Sequence, residues 1–385
     1  MAVSGRGSFI SAISGEKACT PKPWRRLQMP PVGSWGIREL AMSEKVSYAS
    51  SGVDINRQDE ALKRIKPHVK ATKTPGVRSD IGLFGGLFDA RFPEAKPILV
   101  SSMDGVGTKM KVARRAGTWD TVGQDLVNHC INDILVQGAR PLFFLDYIAA
   151  QRLEPDVIEQ IVKGMATACQ AAGSALIGGE LAEMPGVYAE GEVDVAGTIV
   201  GVVDEADLLP RLDAMAEGDV LIGLPSSGLH TNGYSLARKV CFELEKLDVN
   251  DPLPGTGRTV AEALLAIHRS YLTPVMPLVK THKLVAMAHI TGGGLTDNLP
   301  RVLPKTLDAE IDTASWKIPA LFEFLMAKGG LGIDDARQAL NLGVGMVLVV
   351  KPELAGDVLA HLHADEEPAW VLGRLVQGSG AVRYR

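Results

Sequence analysis

The strongest constraint on the fold is a recurrent pairing: an apolar run of strand length, then a polar turn rich in glycine. Pro97 to Met103 (PILVSSM) leads into Asp104-Gly105-Val106-Gly107-Thr108-Lys109, and Ala175 to Ile177 into Gly178-Gly179-Glu180. Val220 to Leu224 leads into Ser226-Ser227-Gly228-Leu229-His230-Thr231-Asn232-Gly233-Tyr234-Ser235, and a run near 284–289 into His289-Ile290-Thr291-Gly292-Gly293-Gly294. Further strands are predicted at Leu142 to Ile148, Val193 to Val203, 344–350 and 370–376. Helical periodicity is predicted for 119–138, Pro155 to Ala172, and near 233–247, 259–280, 295–302 and 352–363. Strands alternating with helices give an α/β class, with mixed α+β character. At about 100–200 residues per domain, 385 residues suggest two domains. The polar, broken stretch Leu208 to Asp219 places the boundary, giving 42–210 and 211–385.

Several function classes are excluded. No apolar run approaches the ~18–20 residues of a membrane helix, so no membrane partner is expected. A net charge of −5 provides no broad basic face for nucleic acid, so any phosphate must bind at local backbone sites. Cys19, Cys130, Cys169 and Cys241 form no C-x-x-C pair, which disfavours a zinc or dithiol site and suits a reducing cytoplasm. Residues 1–41, with Arg6, Arg25, Arg26, Arg38 and the breakers Pro30 and Pro31, read as a disordered extension or as residues upstream of a start at Met42. They are expected to be dispensable.

The turns carry the candidate chemistry. In Asp104 to Lys109, Gly105 and Gly107 let backbone amides approach an anion, Thr108 adds a hydroxyl, Lys109 offers a cation, and Asp104 can hold Mg²⁺. The same spacing suits a tight turn with an exposed lysine. On the helix 119–138, Asp125, Asn128, His129, Asn132 and Asp133 gather opposite an apolar face, offering hard oxygen donors; a polar face packed against loops is the alternative. Glu180 stands either near a ligand or as a cap on the next turn. Ser227, His230 and Asn232 lie in one helix-opening loop, and His289, Thr291, Gly292 and Gly293 in another, both suited to phosphate. Ile81 to Gly86, with Gly85 and Gly86, is a weaker candidate for a nucleotide-covering loop.

Taken together, the motifs SYASSGVDI (47–55), DGVGTK (104–109), NDILVQGARPLFFLDY (132–147), GGELAEMPG (178–186), SSGLHTNGYSLAR (226–238), HITGGGLTDNLPRVLP (289–304) and NLGVGM (341–346) closely resemble the phosphoribosylformylglycinamidine cyclo-ligases. They run in family order over nearly the whole chain after Ser47. The resemblance implies ATP-dependent ring closure of formylglycinamidine ribonucleotide, with Mg²⁺ as cofactor and K⁺ allowed. It also implies two α/β domains and a homodimer in which the first domains pair their sheets. Asp104, Lys109, Asn132 and Asp133 then belong to the ATP and metal region, Asp104 and Asp133 as metal ligands and Lys66 as a phosphate partner. Glu180, His230, Asn232, His289 and Thr291 handle substrate, phosphate or protons, His230 and His289 being the acid–base candidates. One departure is Leu181, where the family usually has threonine. Residues 76–90 hold no cysteine and the chain ends without one, unlike the selenophosphate synthetases and hydrogenase maturation factors of the same superfamily.

Overall fold

The computed structural model describes residues 55–80 and 85–385. The extension 1–41, the start at Met42, nearly all of SYASSGVDI and residues 81–84 of the glycine-rich segment lie outside the described residues.

The first layer is a sheet of β1 (Pro97–Gly105), β2 (Arg140–Ala150), β3 (Ala175–Glu183) and β4 (Val193–Asp204), in the order β1-β4-β2-β3. Helix α1 is Ile55–Ala71, α2 Lys109–Ala116, α3 Asp120–Leu135 and α4 Pro155–Ala171. Side chains alternate along each strand, so one face of the sheet is apolar and closed while the other is open. Val100, Phe144, Ile148, Val195, Ile199 and Val203 are buried in one core with Leu126, Ile131 and Ile134 of α3. Leu99 and Met103 of β1, 61% and 67% exposed, and Leu145 and Tyr147 of β2 mark the open face.

Helices α3 and α4 cross at two glycines. A methyl group built on Gly123 would overlap the Ile161 carbonyl, and one built on Gly164 would overlap the Asp120 carbonyl. The backbones therefore touch without side chains between them.

The second layer has β5 (Val220–Pro225), the small hairpin β6 (Pro252–Leu253) and β7 (Arg258–Thr259), then β8 (Ala286–His289), β9 (Leu307–Ile311), β10 (Val344–Val350), β11 (Trp370–Gln377) and β12 (Val382–Tyr384). Its main sheet runs β12-β9-β11-β5-β10-β8, all antiparallel except the β12–β9 pair. Every residue of β10 is buried, which explains its unbroken apolar sequence VGMVLVV. The helices here are α5 (Tyr234–Arg238), continued by a π-turn Lys239–Leu244, α6 (Val260–Leu264), α7 (Leu272–Lys280), α8 (Gly294–Asn298), α9 (Ala320–Gly329), α10 (Ile333–Ala339) and α11 (Ala355–Ala364). Ile222, Val275 and Leu348 share the core that holds α3, so apolar packing is continuous between the layers.

Two expectations change. The single helix near 259–280 is two helices, because Leu265 to Tyr271 leave helical geometry and form a strap across α3. Pro274 in the first turn of α7 fits a fresh helix start, since it lacks an N–H to donate. The run ending at Ile177 continues to Glu183, so Gly178-Gly179-Glu180 sits inside a strand rather than in a turn after one.

Gly123→Ala and Gly164→Ala should each lower unfolding free energy by about 1–3 kcal/mol, the usual cost of overpacking. Urea midpoints measured at an unchanged m-value would show it.

Candidate active site

The polar face of α3 meets the strap through backbone groups. Asp125 Oδ1 accepts from the His268 N–H at 2.6 Å, and Asn128 Nδ2 donates to the His268 carbonyl at 2.8 Å. Asn132 donates to the Arg269 carbonyl at 2.8 Å and accepts from the Tyr271 N–H at 3.0 Å. These bonds replace the intrahelical ones that the strap gives up. The amides of Asn128 and Asn132 are therefore spent on backbone, and Asn132 is not free as a cofactor ligand. The physical reason is the buried strap, whose polar groups would otherwise have no partner.

Lys109 is likewise engaged. Its side chain and that of Asp125 are both 0% exposed, 2.6 Å apart, and its ammonium also donates to the Ala266 carbonyl at 2.8 Å and the His230 carbonyl at 3.3 Å. Burial pulls the lysine pKa down and pushes the aspartate up, each against the attraction of its partner. Lys109 is thus neither the exposed lysine of a tight turn nor, in this structure, a cation open to phosphate: it ties α2 and α3 to the second layer.

Above that pair, four imidazoles gather between the layers. His129 on α3, His230 in the Ser226–Ser235 loop, His268 on the strap and His289 at the end of β8 are all buried. A continuous chain of hydrogen bonds joins most of them. His129 Nε2 lies 2.8 Å from Asp104 Oδ2, and His129 Nδ1 lies 2.6 Å from Thr231 Oγ1. Thr231 Oγ1 is 3.4 Å from His268 Nδ1, His268 Nε2 is 3.0 Å from His289 Nε2, and His289 Nδ1 is 2.8 Å from Asp133 Oδ1. Asp133 also accepts from Ser102 Oγ at 2.9 Å.

The proton balance of this chain follows from the local charges. Burial alone would lower the His129 pKa, but Asp104 and Asp133 more than offset it and the value rises. Burial lowers His289 despite Asp133, and burial with neighbouring imidazoles takes His268 and His230 well below the ordinary value. With His129 doubly protonated and the other rings neutral, each link from Asp104 to Asp133 has one donor and one acceptor. Both carboxylates are held below the usual range: burial opposes this, but His129 beside Asp104 and His289 beside Asp133 prevail.

His230 stands partly outside the chain. Its φ of +62° is left-handed, and its Nε2 accepts from the Ser227 N–H at 3.1 Å. That bond places the neutral ring's proton on Nδ1, which is buried and without a partner. The Asn232 amide nitrogen is also buried and unpartnered, and the Asn232 side chain lies against Gly292. The Thr291–Gly294 loop is pinned from below by Asn298, which donates to the carbonyls of Gly292 and Gly294 and accepts from Thr291 Oγ1.

Two descriptions of known domains match the chain: "AIR synthase related protein, N-terminal domain" over residues 89–203 and "AIR synthase related protein, C-terminal domain" over 216–385. The phosphoribosylformylglycinamidine cyclo-ligase of Bacillus pumilus is 48% identical over 340 residues, covering 88% of this chain and 97% of that one. The chain belongs to this cyclo-ligase family. The enzyme of the same name from Trichlorobacter lovleyi is 48% identical over 332 residues, covering 86% of this chain and 95% of that one. The trifunctional purine biosynthetic protein adenosine-3 of Gallus gallus is 45% identical over 357 residues, 91% of this chain and 35% of that protein. The fold is shared more widely. A thiamine-monophosphate kinase from Stenotrophomonas maltophilia superposes with a TM-score of 0.63 at 19% identity, covering 84% of this chain and 95% of that one. The hydrogenase maturation protein HypE in complex with ATP does so at 0.59 and 17%, covering 82% and 88%.

Measured against the residues that the cyclo-ligase resemblance singles out, the structure brings together Asp104, Asp133, His230, His289, Ser227, Asn232 and the Thr291-Gly292-Gly293 loop. Thr108 Oγ1 lies 3.2 Å from Ser235 Oγ, joining the first glycine turn, with Gly105 and Gly107, to the second-layer loop. A separate group forms beyond β3. Lys66 is exposed on α1 and lines a cavity of about 210 Å³ with Lys70, Lys73, Ser79 and Ile177. Gly86 packs on that same Ile177, beside Gly85. Glu180 is in register with Tyr147, Ala196 and Gly105, so it projects from the open face of the sheet, opposite Asp104. Leu181 is 7% exposed in the core, so a methylated side chain there packs rather than leaving a hydroxyl's place vacant. His129, His268 and Thr231 were not singled out as site residues. His129 was visible only as part of a polar helix face, and His268 lay in a stretch read as continuous helix.

Lys109→Met leaves Asp125 charged and buried without its partner, which should cost about 3–5 kcal/mol. The double variant Lys109→Met/Asp125→Leu should lose less than the sum of the two single losses in urea denaturation. Additive losses would separate the two residues.

Proposed function

We propose that the chain closes the imidazole ring of 5-aminoimidazole ribonucleotide from formylglycinamidine ribonucleotide, consuming ATP and releasing ADP and phosphate. Membership of the cyclo-ligase family supports the overall reaction. The observation that carries the reading is the meeting of two acidic side chains, two candidate acid–base imidazoles and a glycine loop between the layers. In the first step the formyl oxygen takes the γ-phosphoryl group of ATP, giving an iminophosphate. In the second a substrate nitrogen attacks the former formyl carbon and phosphate leaves.

The chain's own groups suit these needs. Asp104 and Asp133 have partly exposed side chains, 44% and 26%, and offer the hard oxygen atoms that Mg²⁺ prefers. Bound there, the ion would supply positive charge for the transferring phosphoryl group. K⁺ is a further candidate cation. The Asn232 amide and the Thr291-Gly292-Gly293 backbone suit a phosphate of the substrate, while the neutral His230 ring suits donation through Nδ1–H. His289, poised on Asp133, is the second acid–base candidate. Lys66, Gly85 and Gly86 are assigned to the nucleotide, with Glu180 near the substrate or the interface. On this reading 42–210 is the nucleotide and dimerisation half and 211–385 the half that holds the substrate phosphate.

A homodimer built on the open face of the first sheet fits its exposed Leu99, Met103, Leu145 and Tyr147. A cytoplasmic location fits Cys130, Cys169 and Cys241, which are buried and unpaired, burial pushing Cys169 up to about 12 and Cys241 to about 11. Among the described residues no helix is long and apolar enough to cross a membrane.

Purified protein with ATP, Mg²⁺ and formylglycinamidine ribonucleotide should form the aminoimidazole product; phosphoryl transfer without ring closure would favour a plain kinase. Asp104→Asn and Asp133→Asn should each lower turnover at least about tenfold and raise the Mg²⁺ requirement, a loss larger than their shift in thermal midpoint accounts for. Unchanged Mg²⁺ dependence in both would remove them from the metal site. Met103→Arg should halve the mass seen by light scattering, to the 41.0 kDa of one chain.

A further inference from the structure

His268 belongs to none of the glycine loops, yet the structure fastens it on every side. It is 0% exposed. Its N–H and carbonyl are held by Asp125 and Asn128, so the strap cannot slide along α3 without losing both bonds. Its ring stacks on His230 with centroids 4.0 Å apart and planes 22° from parallel. Gly345 leaves room for His230 Cε1 and the Tyr271 hydroxyl, which a methyl group there would meet. His230 is therefore packed against both a flat imidazole and the β10 backbone.

The second contact concerns His289. Its Nδ1 faces Asp133 at 2.8 Å and therefore carries the proton, which leaves Nε2 as an acceptor. His268 Nε2 stands 3.0 Å from that atom. A neutral pair then has a single arrangement: His268 donates and His289 accepts. Rotation of the His289 ring by half a turn would break both of its bonds at once.

We propose that His268 is a positioning residue for the reaction: it provides the surface that orients His230, whose Nδ1–H is left unpartnered, and through Nε2 it fixes the ring plane and tautomer in which His289 holds Asp133. The proposal rests on the reading of His230 as the acid–base group, since Asp133 and His268 occupy both nitrogens of His289. It makes the strap, and through it Asp125 and Asn128, part of the machinery that aligns the two rings. His268 itself touches no reacting atom.

The test uses the full-length protein with ¹⁵N-labelled histidine. In the wild type, His289 should show a protonated Nδ1 and an accepting Nε2. His268→Leu should spread His289 over both tautomers and lower kcat by about 10–100-fold, the usual effect of removing an orienting partner. The KM for ATP should stay within about twofold. His268→Gln, whose amide places a donor near the lost Nε2–H, should restore the single tautomer and part of kcat. It also serves if the leucine variant folds poorly. Wild-type kcat with an unchanged His289 tautomer in His268→Leu would overturn the proposal. So would equal losses in both variants that track their thermal midpoints, which would mark a purely structural residue. The tautomer measurement needs no turnover, so a wild-type protein that makes no aminoimidazole product would sink the functional reading and leave this test standing.

Discussion

The Lys109–Asp125 pair is the contact on which the rest of the site depends. Removing two charges from water is costly, and the attraction between them compensates only when their other hydrogen-bonding positions are filled. Here the ammonium reaches the carbonyls of His230 and Ala266, and Asp125 accepts from the His268 N–H. One buried pair thereby fixes α2 and α3 to both the His230 loop and the strap. The geometry of the imidazole cluster follows from that attachment, because the backbones of His230 and His268 each bond directly to the pair.

Helix α3 serves two partners by having two faces. Leu126, Ile131 and Ile134 pack in the core on the first sheet, while Asp125, Asn128, Asn132 and Asp133 turn to the second layer. The cost is borne by the strap, which abandons helical hydrogen bonds and takes side-chain partners instead. The return is a polar seam with buried imidazoles, in which hydrogen bonds to the carboxylates are stronger than they would be in water. Because such a network tolerates no missing partner, it also restricts each ring to one orientation.

Much of the scaffold was legible in the sequence. The runs at Pro97, Leu142, Val193, Val220 and 344–350 are strands because apolar side chains of that length and spacing have few other ways to be buried. The loops around His230 and His289 do follow strands, and the fold brings them near Asp104 at the end of β1 and Asp133 on α3. What failed has a common cause. Lys109, Asn132 and the stretch 265–271 are read from local pattern, in which a lysine beside a glycine turn is a cation open to phosphate or solvent and an uninterrupted polar–apolar rhythm is a helix. Asn132 and the strap are governed by partners more than 100 residues away in the chain, and Lys109 by Asp125 on the next helix together with carbonyls of that distant strap and loop.

The sequence by itself determined the family, the α/β class and the main strands, because these depend on local periodicity, glycine and motif order. Only the tertiary structure decided which polar groups were free. Lys109 became a buried tie, Asn132 a backbone clamp, Glu180 a residue of the open sheet face, and His268 a neighbour of both acid–base candidates. The physical reason is that burial and pairing are properties of the packed layers: a side chain's charge and hydrogen bonds are settled by whatever the fold brings against it.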